Sequence, residues 1–189
     1  MTGLDEAVAA LERGQVVGVP TDTVYGLAVD PWNEGAVGAL YELKGRPHNK
    51  PIGLLAASAE QAAQVGRLDV AGSLLEHWPG ALTLVVRTSV VVPSWVGDSA
   101  VGTVGIRVPD HALLQELLGR SGPLAVTSAN LAGEPEALDD ESAREIFGDR
   151  VAVYVEGKSV GATPSTVVDI SRGEVRLLRA GPVVIDEGA

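Results

Sequence analysis

The chain contains no cysteine, so a disulfide framework, a thiolate metal site and a cysteine nucleophile are excluded together. Aromatic residues are nearly as scarce, at 4% of 189 residues, and the 46% hydrophobic share must be carried by Val, Leu, Ile and Ala. Such side chains suit layered helices and sheet. No run of about 18 apolar residues occurs, so no membrane-spanning segment is expected. The opening stretch MTGLDEAVAALERG places acids in a helical pattern, whereas a secretory leader needs a basic stretch followed by an apolar core. A soluble, cytoplasmic protein is predicted. Positive charge is also in short supply: 14 Lys and Arg stand against 25 Asp and Glu, for a net charge of -11. That balance argues against broad, charge-driven nucleic-acid binding, which needs a basic face to displace counterions from phosphates.

A length of 189 residues fits one domain, spanning residues 1–189, and no repeat, low-complexity tract or linker marks a boundary. Leu4, Ala7, Val8 and Leu11 recur at helical spacing, predicting a helix over residues 4–13 closed by Gly14. A second helix is predicted from Glu34 to Lys44, where Gly45 and Pro47 supply the stop. Further helices are expected over 59–65, 70–77 and 112–118, and from an Asp139 or Asp140 cap to Phe147. Short apolar runs predict strands at 16–19, across VYGLAV, and at 52–56, 82–87, 104–108, 124–126, 151–155, 166–170 and 175–178. Helices and strands mix without strict alternation, which favours an α+β, three-layer fold with a mixed sheet over a doubly wound parallel one.

Six segments set polar residues directly beside apolar strands: PTDTVYGL (20–27), KGRPHNK (44–50), TVGIRVP (103–109), TSAN (127–130), PSTVVD (164–169) and LLRAGP (177–182). Strand ends of this kind are where sheets place ligand sites. Two of only three lysines, Lys44 and Lys50, flank Arg46 in one segment. Two point charges and a planar fork suit phosphate oxygens, and a triphosphate is the anion that would use all three. Arg107 and Arg179 interrupt apolar strand patterns and must find an anion or reach solvent. Arg107 suits a carboxylate and Arg179 a phosphate. Thr23, Ser128 and Ser165 supply small hydroxyls, and Asn130 an amide that both donates and accepts.

Each segment taken alone has a plainer reading. The cation cluster could be a solvated face, TDT an Asx-type turn, TSAN a turn-forming loop, and Arg107 an outward residue of an edge strand. Joint occurrence carries the case. The GKS at 157–159 lacks the glycine a phosphate-binding loop needs five residues earlier, where Ala152 stands. GDSAVG at 97–102 misses the nucleophile-elbow spacing by one residue. His48, His77 and His111 are too scattered for a metal triad, and no metal-binding residues are predicted.

The ordered set of six segments, running over residues 16–182, resembles the YrdC-type threonylcarbamoyl-AMP synthase family in its short, single-domain form. The resemblance implies a YrdC-like fold with a twisted, largely antiparallel mixed sheet flanked by helices. It also implies that threonine's amine captures bicarbonate or CO₂ and that the carbamate attacks the α-phosphorus of ATP, expelling pyrophosphate. Downstream transfer proteins would then carry the threonylcarbamoyl group to adenosine 37 of tRNAs decoding ANN codons. By matching position, Thr23, Arg107, Ser128 and Ser165 are the expected threonine contacts. Arg46, Lys50, Thr103, Asn130 and Arg179 are the expected ATP contacts, Lys44 and Arg46 the catalytic cations, and Tyr25 a shaper of the carbamate pocket. Mg²⁺ is expected to arrive bound to the nucleotide.

Three positions depart from the family pattern. Leu55 stands where a histidine is common, Leu138 ends EAL where SPT is common, and Lys50 replaces a common asparagine. Two rival functions share the resemblance. One is a non-catalytic module for tRNA, double-stranded RNA or ribosome maturation. The other is a carbamoyl-adenylating domain of hydrogenase maturation, normally part of a longer chain.

Overall fold

The computed structural model describes residues 3–45, 51–161 and 163–185. In chain order the elements are α1 (Gly3–Glu12), β1 (Val17–Val19), β2 (Gly26–Val29), α2 (Glu34–Lys44), β3 (Gly53–Leu55), α3 (Ala59–Ala63), β4 (Leu82–Arg87), β5 (Thr103–Arg107), α4 (Ala112–Ser121), β6 (Leu124–Ser128), α5 (Asp140–Phe147), β7 (Val153–Tyr154), β8 (Thr166–Asp169) and β9 (Arg176–Arg179). Local chemistry explains their ends. Asn33 caps α2 by accepting from the Ala36 N–H, and Gly45 closes it at φ 60, a left-handed conformation that costs glycine nothing. Asp139 and Ser142 form a reciprocal capping box that starts α5.

The nine strands form one sheet in the order β7-β1-β2-β6-β3-β5-β4-β8-β9. Antiparallel pairing joins β1 to β2, β2 to β6, β6 to β3, β4 to β5 and β8 to β9. Parallel pairing joins β1 to β7, β3 to β5 and β4 to β8. The largely antiparallel, mixed sheet expected from the sequence is therefore present.

Period-two alternation gives the sheet two unlike faces. On one face Leu82, Leu84 and Val86 of β4 join Ile106, Val104 and Val168 and pack with Val37, Leu40 and Tyr41 of α2, Ala62 of α3 and Phe147 of α5. The other face is covered at one end, where Leu4, Ala7 and Leu11 of α1 and Leu114, Leu117 and Leu118 of α4 pack on Val17, Val19, Leu55 and Leu124. Helices on both sides of the sheet make three layers. The rest of the second face is left as an open cleft.

Some boundaries differ from the sequence expectation. Residues Gly72–His77 form a 3₁₀ segment where a helix was expected over 70–77. Gly72 sits at φ 51, which α-helical backbone does not allow. β6 runs on through Ser128, so Thr127 and Ser128 are strand residues, with Ser128 opposite Gly26, and are not part of a turn. The strand expected over 151–155 shrinks to Val153–Tyr154.

Candidate functional site

The cleft has a volume of about 930 Å³ and lies over the uncovered sheet face. Its floor follows the strand alternation: Thr83, Val85 and Arg87 of β4 face it, as do Thr103, Gly105 and Arg107 of β5 and Ser128 of β6. Glycine at Gly26, Gly53 and Gly105 leaves the middle of the floor as bare backbone. Six of the residues expected to bind ligand line this one cavity: Thr23, Thr103, Arg107, Ser128, Ser165 and Arg179. Lys44 and Asn130 lie beside it, tied to Ser128. Arg46 and Lys50 fall outside the described residues.

Arg107 is not on an edge strand. β5 lies between β3 and β4, and Arg107 is only 5% exposed. Its Nη2 forms a short ion pair with Asp22 Oδ1, and its Nη1 donates to Thr23 Oγ1 at 2.9 Å. Burial lowers the Arg107 pKa, the Asp22 charge opposes that fall, and the nearby Arg179 adds to it. The guanidinium nevertheless stays protonated at any physiological pH. Two buried atoms at this corner, Arg107 Nε and His111 Nδ1, have no hydrogen-bond partner among the described residues. Burial also pushes the His111 pKa down, with Asp22 and Asp110 pulling the other way.

A second corner gathers around Lys44, which is 5% exposed at the last turn of α2. Its Nζ donates to the Ser128 carbonyl and to Asn130 Oδ1 at 2.8 Å. Ser128 Oγ donates to the same Asn130 oxygen at 2.7 Å, and Asn130 Nδ2 donates to the Glu134 carbonyl at 2.7 Å. Lys44, expected at the end of the predicted helix as a catalytic cation, is a buried anchor that joins α2 to the end of β6.

At the third corner Arg179 Nε donates to the Ser165 carbonyl at 3.0 Å and its Nη2 to Ser165 Oγ at 3.2 Å. Ser165 Oγ also shares a 2.8 Å bond with Thr83 Oγ1. Gly181 makes this corner possible, because a Cβ there would come within 2.4 Å of the Thr166 nitrogen. Burial lowers the Arg179 pKa, partly offset by Glu136.

Tyr25 is not at the cleft. It is fully buried in the core, its hydroxyl donates to the Val155 carbonyl at 2.7 Å, and burial raises its pKa. Leu55 does line the cleft, next to Arg107 across the β3–β5 register. Leu138 lies in a separate shallow apolar pocket with Leu131 and Ile146. The sequence reading missed Asp22 and Thr83. Asp22 was absorbed into a turn, although its carboxylate stands two residues from the start of an apolar strand. Thr83 was legible as the polar member of the β4 alternation. Among the described residues no group of three or more His, Asp or Glu could hold a metal ion. No described helix is long and apolar enough to cross a membrane.

Fold and cleft together define a ligand-binding α+β protein whose site combines guanidinium groups with small hydroxyls, a set suited to a small molecule bearing carboxylate or phosphate oxygens. The family model covering Sua5, YciO and YrdC, described as telomere recombination, matches residues 9–181. The chain belongs to the Sua5–YciO–YrdC family. A threonylcarbamoyl-AMP synthase of Vibrio cholerae is 38% identical over 194 residues, covering 94% of this chain and 97% of its own. A Mycobacterium leprae relative is 43% identical across 97% of this chain and 84% of its own. The solved P. abyssi Sua5 in complex with L-threonine is 34% identical, with a TM-score of 0.86 over 94% of this chain. The present chain spans about half of that protein, 54%. E. coli YciO, at 23% identity and a TM-score of 0.87, shares the fold across 97% of this chain and 91% of its own.

Proposed function

We infer that the protein is a cytoplasmic threonylcarbamoyl-AMP synthase, joining L-threonine, bicarbonate or CO₂, and ATP. The observation that carries this reading is the convergence of Thr23, Thr103, Arg107, Ser128, Ser165 and Arg179 on one cleft, in a chain whose relatives include named synthases of this kind.

The threonine nitrogen attacks the carbon of CO₂ and loses a proton, giving a carbamate. One carbamate oxygen then bonds to the α-phosphorus of ATP as the bond to the β-phosphate oxygen breaks and pyrophosphate leaves. No covalent enzyme intermediate is needed. The protein's work is to hold two reactants in line and to neutralise charge on the transferring phosphoryl group. Arg107 takes the threonine carboxylate, and the hydroxyls of Thr23, Ser128 and Ser165 orient its remaining polar groups. Arg179, Thr103 and Asn130, with Arg46 and Lys50, receive the nucleotide. Lys44 acts by fixing Ser128 and Asn130 while adding positive charge beside the phosphates. Mg²⁺ enters as part of the nucleotide substrate, held by phosphate oxygens. The product's mixed anhydride is the form that transfer proteins would pass to adenosine 37 of tRNA.

The test is pyrophosphate release from ATP measured with threonine and bicarbonate added separately and together. Release that needs both supports the reading. Equal release without threonine overturns it, and salt-sensitive binding of double-stranded RNA with no affinity for ATP would favour a non-catalytic module instead.

A further inference from the structure

Ser165 and Arg179 meet at one corner of the cleft, and a third residue, Thr83 of β4, completes it. β4 is an interior strand between β5 and β8. Its residues Leu82 and Leu84, on either side of Thr83, are fully buried, so Thr83 stands on a firm support. Its side chain has one orientation. The methyl faces β5, where a Cβ added at Gly105 would lie 3.4 Å from it, and the hydroxyl faces Ser165, with 2.8 Å between the two oxygens. Branched side chains of this kind are stiff about their first torsion.

The corner holds two hydroxyl protons. The bond between Thr83 and Ser165 consumes one of them. The other has no acceptor among the described residues, because the remaining partner of Ser165 Oγ, Arg179 Nη2 at 3.2 Å, is itself a donor. When Thr83 donates, both lone pairs of Ser165 Oγ are filled, one by Thr83 and one by Arg179, and the proton of Ser165 is left for the cleft. Ser165 is then a donor and nothing else. Two donors into one oxygen also polarise its O–H, since hydrogen bonds in a chain strengthen one another. Such a hydroxyl suits an anionic oxygen. An amine finds no lone pair there.

We propose that Thr83 is a positioning residue: by donating to Ser165 it makes that hydroxyl a dedicated donor for an anionic oxygen of the amino-acid substrate, either its carboxylate or the carbamate formed on its amine. Arg179 fills the second lone pair and adds positive charge alongside. The assignment rests on the functional reading above and adds a residue that never needs to touch the substrate.

Calorimetry on the whole protein tests it, using an α,β-methylene ATP analogue, in which the bond that would break is blocked, and L-threonine with and without bicarbonate. Thr83→Val keeps the branched shape and loses the hydroxyl. It should weaken threonine about 3- to 10-fold, the range of one hydrogen bond. A loss already present without bicarbonate identifies the carboxylate as the acceptor, and a loss confined to bicarbonate identifies the carbamate. Thr83→Ser should bind as the wild type does. In a Ser165→Ala background Thr83→Val should change nothing further, because its effect passes through Ser165. Unaltered affinity in Thr83→Val overturns the assignment, as does Thr83→Ser binding as weakly as Thr83→Val. An equal loss from Thr83→Val with and without Ser165 overturns it by making Thr83 a direct contact. Wild-type protein that binds the analogue but no threonine overturns the functional reading and this assignment with it. Should Thr83→Val not fold, Thr83→Ala is judged by the same measurements.

Discussion

The two faces of one strand have opposite fates. Along β4, Leu82, Leu84 and Val86 are fully buried against helices, while Thr83, Val85 and Arg87 alternate with them and face the cleft. The same backbone hydrogen bonds serve both sets, so the difference lies in the side chains alone. On the covered face, removal of apolar surface from water supplies stability. On the cleft face, hydroxyls and guanidinium groups hold each other in place and contribute little to folding. Stability and ligand recognition are thus divided between odd and even positions of the same strands, and substitutions can separate them.

Arg107→Ala breaks the division most severely, because Arg107 is a cleft residue that is also buried. Threonine affinity should fall about 100-fold or more, and the Asp22 carboxylate left without its partner should cost about 3 kcal/mol of stability. Parallel threonine titration and urea unfolding would read both losses, and a loss of only one would place Arg107 on one side of the divide. Leu84→Ala should remain on the stability side, lowering the unfolding free energy by about 2–5 kcal/mol with threonine affinity intact in the folded fraction. Its neighbour Thr83→Val should do the reverse. It removes the partner of the Ser165 hydroxyl, so threonine binding should weaken about 3- to 10-fold at a stability change of about 1 kcal/mol or less. The smallest effect is expected of Arg176→Ala. That arginine pairs with Asp169 at 3.1 Å but is largely exposed, and thermal melting should register about 0.5 kcal/mol or less.

This division also explains what was legible before the structure. Short apolar runs located every strand among the described residues, though not every boundary, since β-branched and aliphatic residues bounded by Gly and Pro leave few other options. The capping residues Gly45 and Asp139 fixed helix ends because their chemistry is local. The 3₁₀ turn at Gly72–His77 escaped because its apolar spacing reads as helix, whereas Gly72, at φ 51, breaks any helical run that starts at Val70. At the site, the residues themselves were legible but their partners were not. Arg107 called for an anion, yet its position between β3 and β4 and its pairing with Asp22 depend on contacts 85 residues apart. Lys44 read as one of three clustered cations, and its role as a tether to Asn130 follows only from the packing of α2 beside β6. Tyr25 lies two residues after the cleft threonine Thr23 but turns into the core, because the bend through Asp22–Val24 breaks the period-two alternation that would put both on one side.

The bare floor at Gly26, Gly53 and Gly105 has a consequence for how such a protein changes. The middle of the cleft is shaped by atoms that are missing, like the hollow of a casting mould, while the charges stand to its sides. At Gly105 an added methyl would meet Thr83 Cγ2 at 3.4 Å, an ordinary contact. A single methyl group at Gly105 would shrink the space available to an amino-acid side chain and leave Arg107, Ser165 and Arg179 where they are. Substrate size and substrate charge can therefore be altered by separate mutations.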